Sequence, residues 1–548
     1  MRKNMNLRRT AQKRIQITRN QKKATAILMA TALVGLSLSA CGSASTAQAS
    51  TTEVSTEAST EAETETETEK ISYDNAEAGG HAILADGEEA TYDNITVTKT
   101  GDSSSNDEAD FYGDNAAIFA ENGATLTIAN ADVTTDGAHA NAVFSYGEGT
   151  TVNISDSTIT TNSNNSGGLM TTGGGTMNAK NLTIITQGGS SAAIRSDRGG
   201  GTVTVDGGYY ETNGSGSPDI YSTADITVKN ATLVSNSAQG IVVEGSNSAT
   251  LENTDVTANN VSKNSDNSDY YQAVMIYQSM SGDAEEGTAA FKMTGGSLTS
   301  KNGGMFFVNN TTATIELEDV AFSYASDDFL RIQAAGWGNE GSNGGQVTFT
   351  ATNQKMEGNT IVDDISTLNM YLKDGSTYSG AINTDGTSGS VYVELTDGSK
   401  WTLTGDSYIT SLTCDADSID LNGYKLYVNG TEYTEGTAST GEAVEAYVNP
   451  NASTQQQGNP PEMPDGQAPQ GGQAPSGSGQ GQAPSGNGQA PSGTPGQAPA
   501  DGETPPALPD GQAPAAGETP PAKPDGEAPQ GNPPEIPGTT TETTASAG

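Results

Sequence analysis

Apolar and polar residues follow one recurring pattern along the middle of this chain. In Leu126-Thr-Ile128-Ala-Asn130-Ala-Asp-Val133, two apolar residues spaced by two precede a turn residue, and a third apolar residue follows the turn. Residues spaced by two lie on one face of a strand. The pattern therefore predicts a short strand, a sharp bend and a second strand whose apolar residue points back to the same interior.

The pattern occurs eight times, with steps of 26, 25, 26, 23, 23, 42 and 24 residues between successive copies. A fixed period of this kind indicates a repeat architecture. The turn residues are all Asn, Asp or Gly, the types that enter the left-handed backbone region most readily. They are Asn130, Asp156, Asn181, Gly207, Asn230, Asn253, Gly295 and Asp319. Coils of about 24 residues, stacked about 4.8 Å apart, predict an all-β parallel β-helix.

Less regular copies extend the solenoid on both sides, and we predict about 13 coils within residues 71–435. These copies are Ala90/Tyr92, Val347/Phe349, Met370/Leu372, Val393/Leu395 and Ile419/Leu421. Four insertions interrupt the period, at about 99–116, 258–271, 281–288 and 334–346. Insertions on a solenoid usually emerge from one face, and that face usually binds the ligand.

The two ends of the chain differ from the middle. Residues 1–40 combine a basic segment with an apolar stretch that is short for a spanning helix, as in an export signal. The following Leu38-Ser-Ala-Cys41 resembles the lipobox of bacterial lipoproteins, which implies a lipid on Cys41 and anchoring at the outer face of the cell membrane. Residues 41–70 are rich in Ser, Thr and Glu and predict a disordered tether. Residues 436–548 hold nearly all the prolines, 21 of 22 at or after Pro450, and predict a disordered Pro/Gly/Gln-rich tail.

Charge and cysteine content narrow the functional classes. Acidic residues outnumber basic ones 67 to 24, and the formal net charge is −43. Such a surface repels nucleic acid, so we expect no nucleic-acid partner. With Cys41 lipidated, Cys414 has no cysteine partner and is expected to be a small buried hydrophobe.

The period and the turn column resemble the right-handed β-helices of the pectin-lyase-like superfamily and of bacterial surface adhesins, over about residues 90–430. That superfamily contains lyases, hydrolases and inert adhesins, so the resemblance implies the fold and leaves the activity open. The segment Ser399–Leu412 is similar to repeats near the end of autotransporter-type passengers, which favours an adhesin.

Two groups of residues suggest an enzyme instead. Polygalacturonase-like hydrolases use short motifs that are similar to Asn253-Thr-Asp255, Asp327-Asp328 and Arg331-Ile-Gln333, but their Gly-His-Gly is missing here. Lyases of the superfamily use an Arg or Lys as a base, and Arg195 and Arg198 flank Asp197. We interpret the first group as coincidence. For the second group, a structural explanation is simpler: the nearby charged residues form a cross-strand charge ladder. The ladder comprises Lys180, Asp206, Lys229 and Glu252.

Binding residues are sought in the insertions. Tyr270, Tyr271 and Trp337 lie in or beside insertions, where aromatic rings can stack on sugars. The acidic loop 264–269 offers oxygen ligands for weak Ca²⁺ binding, but it matches no ordered calcium-loop spacing. We assign no metal site and no other cofactor.

The sequence therefore predicts a monomeric, non-catalytic surface lipoprotein, adhesin-like or glycan-binding, that contacts the membrane through its lipid and a polysaccharide or a host surface through its body. The alternative hypothesis is a polysaccharide lyase or glycoside hydrolase acting on acidic polysaccharide. The sequence leaves enzymatic activity undecided and favours its absence.

Overall fold

A computed structural model describes residues 69–450, except 104, 264–266 and 387–388. The described chain is a parallel β-helix in which each coil has three strands, called here leg 1, leg 2 and leg 3. The repeating pattern supplies leg 1 before its turn residue and leg 2 after it. Leg 3 completes the coil, and its first eleven strands form a separate parallel sheet.

Thirteen leg-1 strands stack in parallel within the described residues, which agrees with the predicted number of coils. At about 4.8 Å per coil the solenoid is about 60 Å long. Four strands run through the corner and supply both leg 1 and leg 2: β3 Glu89–Lys99, β5 Thr125–Thr135, β10 Gly175–Thr186 and β12 Gly201–Thr212.

The other strands each belong to one leg. In leg 1 they are β7 Thr151–Ser155, β14 Asp225–Lys229, β17 Ser248–Glu252, β20 Thr288–Thr294, β23 Thr312–Glu318, β26 Gln346–Thr352, β29 Thr367–Lys373, β31 Ser390–Leu395 and β34 Ser411–Thr413. In leg 2 they are β1 Ile71–Asn75, β8 Thr158–Thr161, β15 Thr232–Ser235, β18 Asp255–Ala258, β21 Ser297–Ser300, β24 Ala321–Tyr324, β27 Lys355–Glu357, β30 Thr377–Ser379, β32 Lys400–Thr402 and β35 Ile419–Asp420.

Leg 3 comprises β2 Ile83–Asp86, β4 Ile118–Glu121, β6 Val143–Tyr146, β9 Leu169–Thr172, β11 Ile194–Ser196, β13 Ile220–Ser222, β16 Ile241–Glu244, β19 Gln272–Tyr277, β22 Gly304–Asn309, β25 Asp328–Ile332, β28 Asn359–Val362, β33 Ser407–Ile409 and β36 Leu426–Val428. The short strand β37 Thr431–Glu432 pairs antiparallel with β36. One α-helix, α1 Asn106–Tyr112, lies in the first insertion. In the part of the chain that the structure describes, no helix is long and apolar enough to cross a membrane.

The corner between legs 1 and 2 has the left-handed geometry that the turn column predicts. All eight turn residues have positive φ, from 47° at Asn253 to 77° at Gly207. Some of the asparagines also bind the preceding coil; Asn230 Nδ2, for example, donates to Asp206 Oδ1 at 2.8 Å. The same residue type therefore shapes the corner and links two coils.

The predicted register holds through the regular coils and is wrong in two of the irregular ones. The predicted pattern places Val347 opposite Ile315, but Val347 pairs with Ala313, two residues earlier. The apolar pair of that coil is therefore Phe349/Ala351. The strand has three inward apolar residues, so the sequence offers two registers. At the end of the solenoid Val393 pairs with Leu412, and Ile419 belongs to leg 2 because this coil is shorter than the others.

Cys414 is buried at 4% exposure and continues the inward side of the last leg-1 strand, as expected for a small hydrophobe. Residues 439–449, which the sequence assigned to the tail, run back along the solenoid. Ser439 bridges Cys414 in the last coil, and Val444 exchanges two hydrogen bonds with the side chain of Asn369 in an earlier coil. Side-chain amides hold this segment, so it has no apolar period that sequence analysis could detect.

Candidate functional site

The outer face of the leg-3 sheet is unusually apolar. Side chains alternate along each strand, so the residue after the first inward one points away from the core. Strand pairing places these outward residues in one column. The column comprises Leu84, Phe119, Phe144, Met170, Arg195, Tyr221, Val242, Met275, Phe307, Arg331 and Ile361. An outer sheet face with this apolar composition is expected to be buried by other segments of the chain.

All four predicted insertions flank leg 3 and supply that cover. The first insertion, with helix α1, lies against Phe119, Phe144 and Met170, which form a small buried cluster. The ring of Tyr112 meets that of Tyr146 edge-on at 5.9 Å. The insertions thus emerge on one side of the solenoid, and the leg-3 sheet is buried on both faces along much of its length.

The insertions at 258–271 and 334–346 meet around a second cluster, in which Val242, Met275, Tyr277 and Phe307 are buried. Tyr221, Tyr270 and Trp337 pack against this cluster and stay partly exposed. We call Tyr221, Tyr270 and Trp337 the aromatic surface.

Two of the three predicted contact residues belong to the aromatic surface. Trp337 meets Tyr277 at 5.1 Å between ring centroids, and Tyr270 meets Phe307 at 5.4 Å. The Arg331 guanidinium lies 4.1 Å from the centre of the Tyr270 ring. The third predicted residue, Tyr271, is half-buried at the start of β19 and is not part of the cluster.

The loop that carries Trp337 is held in place by a buried amide. Asn343, which is 5% exposed, donates from Nδ2 to the carbonyls of Ala335 at 2.7 Å and Trp337 at 2.9 Å. Such bonds fix the loop backbone around the indole. The Trp337 ring is therefore presented by a constrained loop, which reduces the conformational entropy lost on binding.

Polar side chains adjoin the aromatic surface on its N-terminal side. Glu244 is 1% exposed; its Oε2 accepts a short hydrogen bond from Tyr221 Oη, and its Oε1 accepts one from Ser279 N at 3.2 Å. Tyr221 Oη also lies 3.4 Å from Tyr277 Oη. Burial raises the pKa of both tyrosines above its ordinary value, so their hydroxyls stay protonated and remain hydrogen-bonding groups.

The predicted Arg195–Asp197 group lies one coil further towards the N-terminus. Arg195 Nη2 donates to Asp197 Oδ2 at 2.9 Å, and the two side chains are only 14% and 6% exposed. Arg198 ties two insertions together: its Nε donates to Asp283 Oδ1 at 2.6 Å, and its guanidinium lies 3.6 Å from the centre of the Phe111 ring.

This geometry does not suit Arg195 for proton abstraction. Burial opposes its charge, but Asp197 and Asp110 outweigh that effect and raise the pKa of Arg195 above its ordinary value. The guanidinium is therefore protonated and cannot accept the proton that a lyase removes. Asp197 is also fully engaged, because its second oxygen accepts the Arg198 N–H at 3.1 Å.

Asp327 is exposed, and the other candidates named below are occupied structurally or lie outside the described residues. Asn253 forms a corner with φ of 47°, and Asp328 forms an ion pair with Arg331.

The predicted charge ladder is present in leg 1. Successive coils pair Lys180 with Asp206, Asp206 with Lys229, and Lys229 with Glu252, and the Lys229–Glu252 ion pair measures 2.9 Å. Cys41 and positions 264–266 of the acidic loop lie outside the described residues. Among the residues that are described, no three His, Cys, Asp or Glu side chains form a metal-binding group.

Sequence analysis missed Tyr221, Glu244 and Tyr277 because it followed only the inward residues of the repeat. Leg 3 nevertheless carries a visible signal. Its strands contain continuous apolar runs, such as Ala273–Ile276 and Met305–Val308. Runs of this kind are typical of strands buried on both faces, and they indicate that something covers the outer side.

Comparisons with known proteins assign no identity to this solenoid. No protein-family model, no curated protein and no solved structure matches the chain.

Proposed function

We propose that this protein is a non-catalytic bacterial surface lipoprotein that binds glycans on the outer side of its leg-3 sheet. One observation carries the proposal: the two insertions that hold Tyr270 and Trp337 meet on the leg-3 sheet, where both rings and that of Tyr221 on β13 pack against one cluster and stay partly exposed. Aromatic rings next to fixed hydrogen-bonding groups are the usual means of holding a sugar, whose faces are apolar and whose rim is polar.

The neighbouring polar groups support a glycan over an apolar ligand. The Arg331 guanidinium lies beside the Tyr270 ring, and the hydrogen bonds of the Tyr221 hydroxyl to buried Glu244 and Tyr277 fix the Tyr221 ring. The lipobox-like Cys41 supports a position at the outer face of the membrane, and the resemblance to surface adhesins supports an adhesive role. Carboxylates that are fully engaged and an arginine that stays protonated favour binding over catalysis.

The test uses the chain from Gly42 to Gly548, which keeps every described residue and omits the lipidated cysteine. Glycan-array binding is expected, and Trp337→Ala should weaken it about fivefold or more, because one stacked ring contributes on the order of 1 kcal/mol or more. Tyr424→Ala is the matched control. Tyr424 is 42% exposed and lies outside the aromatic surface, so its loss should leave binding unchanged.

Two results would contradict the proposal. The first is binding that Trp337→Ala and Tyr270→Ala leave as strong as in the wild type. The second is turnover of pectin or another uronic-acid polymer, measured by absorbance of unsaturated products and by new reducing ends, that Arg195→Ala abolishes. The second result would support the lyase alternative.

A further inference from the structure

The ladder of leg-2 strands is interrupted between β24 and β27. Leu298 of β21 pairs with Phe322 of β24, and pairing resumes only between β27 and β30. The same two coils pair without interruption in leg 1, and they pair in leg 3 with one register shift between Asp328 and Leu330. They therefore touch on two sides and separate on the third, where a groove of about 1030 Å³ opens.

A single large side chain accounts for the gap. Along leg 2 the inward position is filled by small residues, including Ser235, Ala258 and Ser300, until Tyr324 takes that place. The Tyr324 hydroxyl crosses the gap and donates to the Glu357 carbonyl. A Cβ at the next residue, Gly358, would come within 2.3 Å of that hydroxyl oxygen. The sequence thus combines the residue that separates the coils with the glycine that makes room for it.

The two strands facing the groove differ in their free backbone groups. Ala321 N donates to Gly296 O in the preceding coil. Alternate residues of a parallel strand bond to opposite neighbours, so the N–H and C=O of Phe322 and Tyr324 face the groove. On the other side, side chains cover the carbonyls of β27: Tyr324 bonds to Glu357 O, and Gln354 Nε2 donates to Lys355 O at 2.8 Å. One edge is therefore protected, and the other is open at Phe322 and Tyr324, beyond Val320, whose N–H and C=O are already bound by the Gln354 side chain.

Charged side chains that lack partners line the same groove. Asp327, Lys355 and Glu357 are exposed, and within the described residues their side chains form no hydrogen bond or ion pair. Asp319 adds a third carboxylate, which accepts from Asn353 Nδ2 at 2.6 Å. Three carboxylates against one ammonium make the groove acidic. The half-buried Phe322 and Tyr324 rings supply an apolar floor.

We propose that this groove binds an extended, lysine- or arginine-bearing peptide segment of a partner protein, which adds as a strand to the open edge of β24. Strands that flank an added strand lie about 9–10 Å apart, and the gap already spans the length of a tyrosine side chain. Main-chain hydrogen bonds to Phe322 and Tyr324 supply affinity, as in other cases of strand addition. The carboxylates select cationic residues on the outward side of the peptide.

The test screens the chain from Gly42 to Gly548 against an immobilised library of random octapeptides. We expect the wild type to enrich peptides that alternate Lys or Arg with β-branched residues. Asp327→Lys combined with Glu357→Lys should weaken binding of the enriched peptides at least tenfold. The control, Glu318→Lys combined with Asp364→Lys, makes the same charge change at exposed positions outside the groove and should leave binding unchanged.

Two further readouts separate strand addition from simple charge attraction. N-methylation of alternate peptide nitrogens should abolish binding, because it removes the donors that a strand needs. Amide hydrogen exchange at Phe322 and Tyr324 should slow when the peptide is bound. Equal binding of the methylated peptide, equal loss in the control variant, or no cationic enrichment would each overturn the proposal. Protection of the groove by a neutral oligosaccharide with no peptide bound would assign it to a glycan and would also overturn the proposal.

Discussion

Gly208→Asn is expected to lower the free energy of unfolding by about 3 kcal/mol or more, whereas Gly207→Asn should change it by less than about 1 kcal/mol. The two glycines are adjacent and both have positive φ, 77° at Gly207 and 109° at Gly208. Their surroundings differ. A Cβ at Gly207 has no heavy atom closer than 3.9 Å, but a Cβ at Gly208 would lie 2.3 Å from the Leu182 carbonyl oxygen.

The reason is the close stacking of coils. Leu182 O belongs to the backbone of the neighbouring coil, which is held by its own ladder and cannot move aside cheaply. Asparagine at 207 instead joins a column that already contains Asn181 and Asn230. Thermal unfolding of both variants, followed by circular dichroism, checks the prediction. Equal melting temperatures for the two variants would contradict the stacked geometry at this corner.

Asp219→Ala is expected to stabilise the protein at pH 7 by about 2–4 kcal/mol, the cost of burying a polar group without a partner. Asp219 is fully buried, and neither carboxylate oxygen forms a hydrogen bond of normal geometry among the described residues, although the Val234 N–H and the Thr212 hydroxyl lie near it. The equivalent positions in neighbouring coils are alanine or glycine, for example Ala193 and Gly240. Alanine at 219 therefore matches the side-chain size of the neighbouring positions in the column.

The gain should depend on pH in a defined direction. Burial raises the pKa of Asp219 well above its ordinary value, so the folded state keeps the proton when the unfolded state has lost it. The wild type therefore loses stability as pH rises above about 3.9, the unfolded pKa, by about 1.4 kcal/mol per pH unit until the folded pKa is reached.

Asp219→Asn keeps the shape and the polar burial but removes the ionisation. Its advantage over the wild type should be small at pH 4 and should grow towards pH 7. Denaturant unfolding of the wild type and both variants at pH 4, 5.5 and 7 measures these differences. An advantage that stays constant with pH would show that Asp219 is ionised in the folded protein.

The sequence predicted the parts of this fold that depend on inward side chains and corner geometry. The turn residues, the register of the Lys180–Glu252 charge ladder and the four insertions all follow from residues that repeat at a fixed period. These features are local to each coil, so one copy of the pattern predicts the next. The copies that failed, near Val347 and Ile419, lie where an extra apolar residue or a short coil removes that regularity.

The candidate sites were harder to predict because they depend on contacts between distant segments. Arg198 meets Asp283, 85 residues away, and the rings of Tyr277 and Trp337 meet across 60 residues. The sequence identified Tyr270 and Trp337 as aromatic residues in loops. It could not predict that both rings pack against the same cluster. The leg-2 groove exists because β24 and β27 do not pair. The repeating sequence pattern predicts strand pairing and gives no sign of where a pair is absent.

Distances along one outward column of leg 1 test the central claim, a single stacked solenoid, most directly. In the chain from Gly42 with Cys414→Ala, spin labels at Thr127 and at Thr250, Glu316 or Tyr371 are separated by five, seven and nine coils. Pulsed electron paramagnetic resonance should give separations of about 24, 34 and 43 Å, increasing by about 4.8 Å per coil. Separations that do not increase linearly with coil number would contradict the solenoid and, with it, the two proposed binding sites.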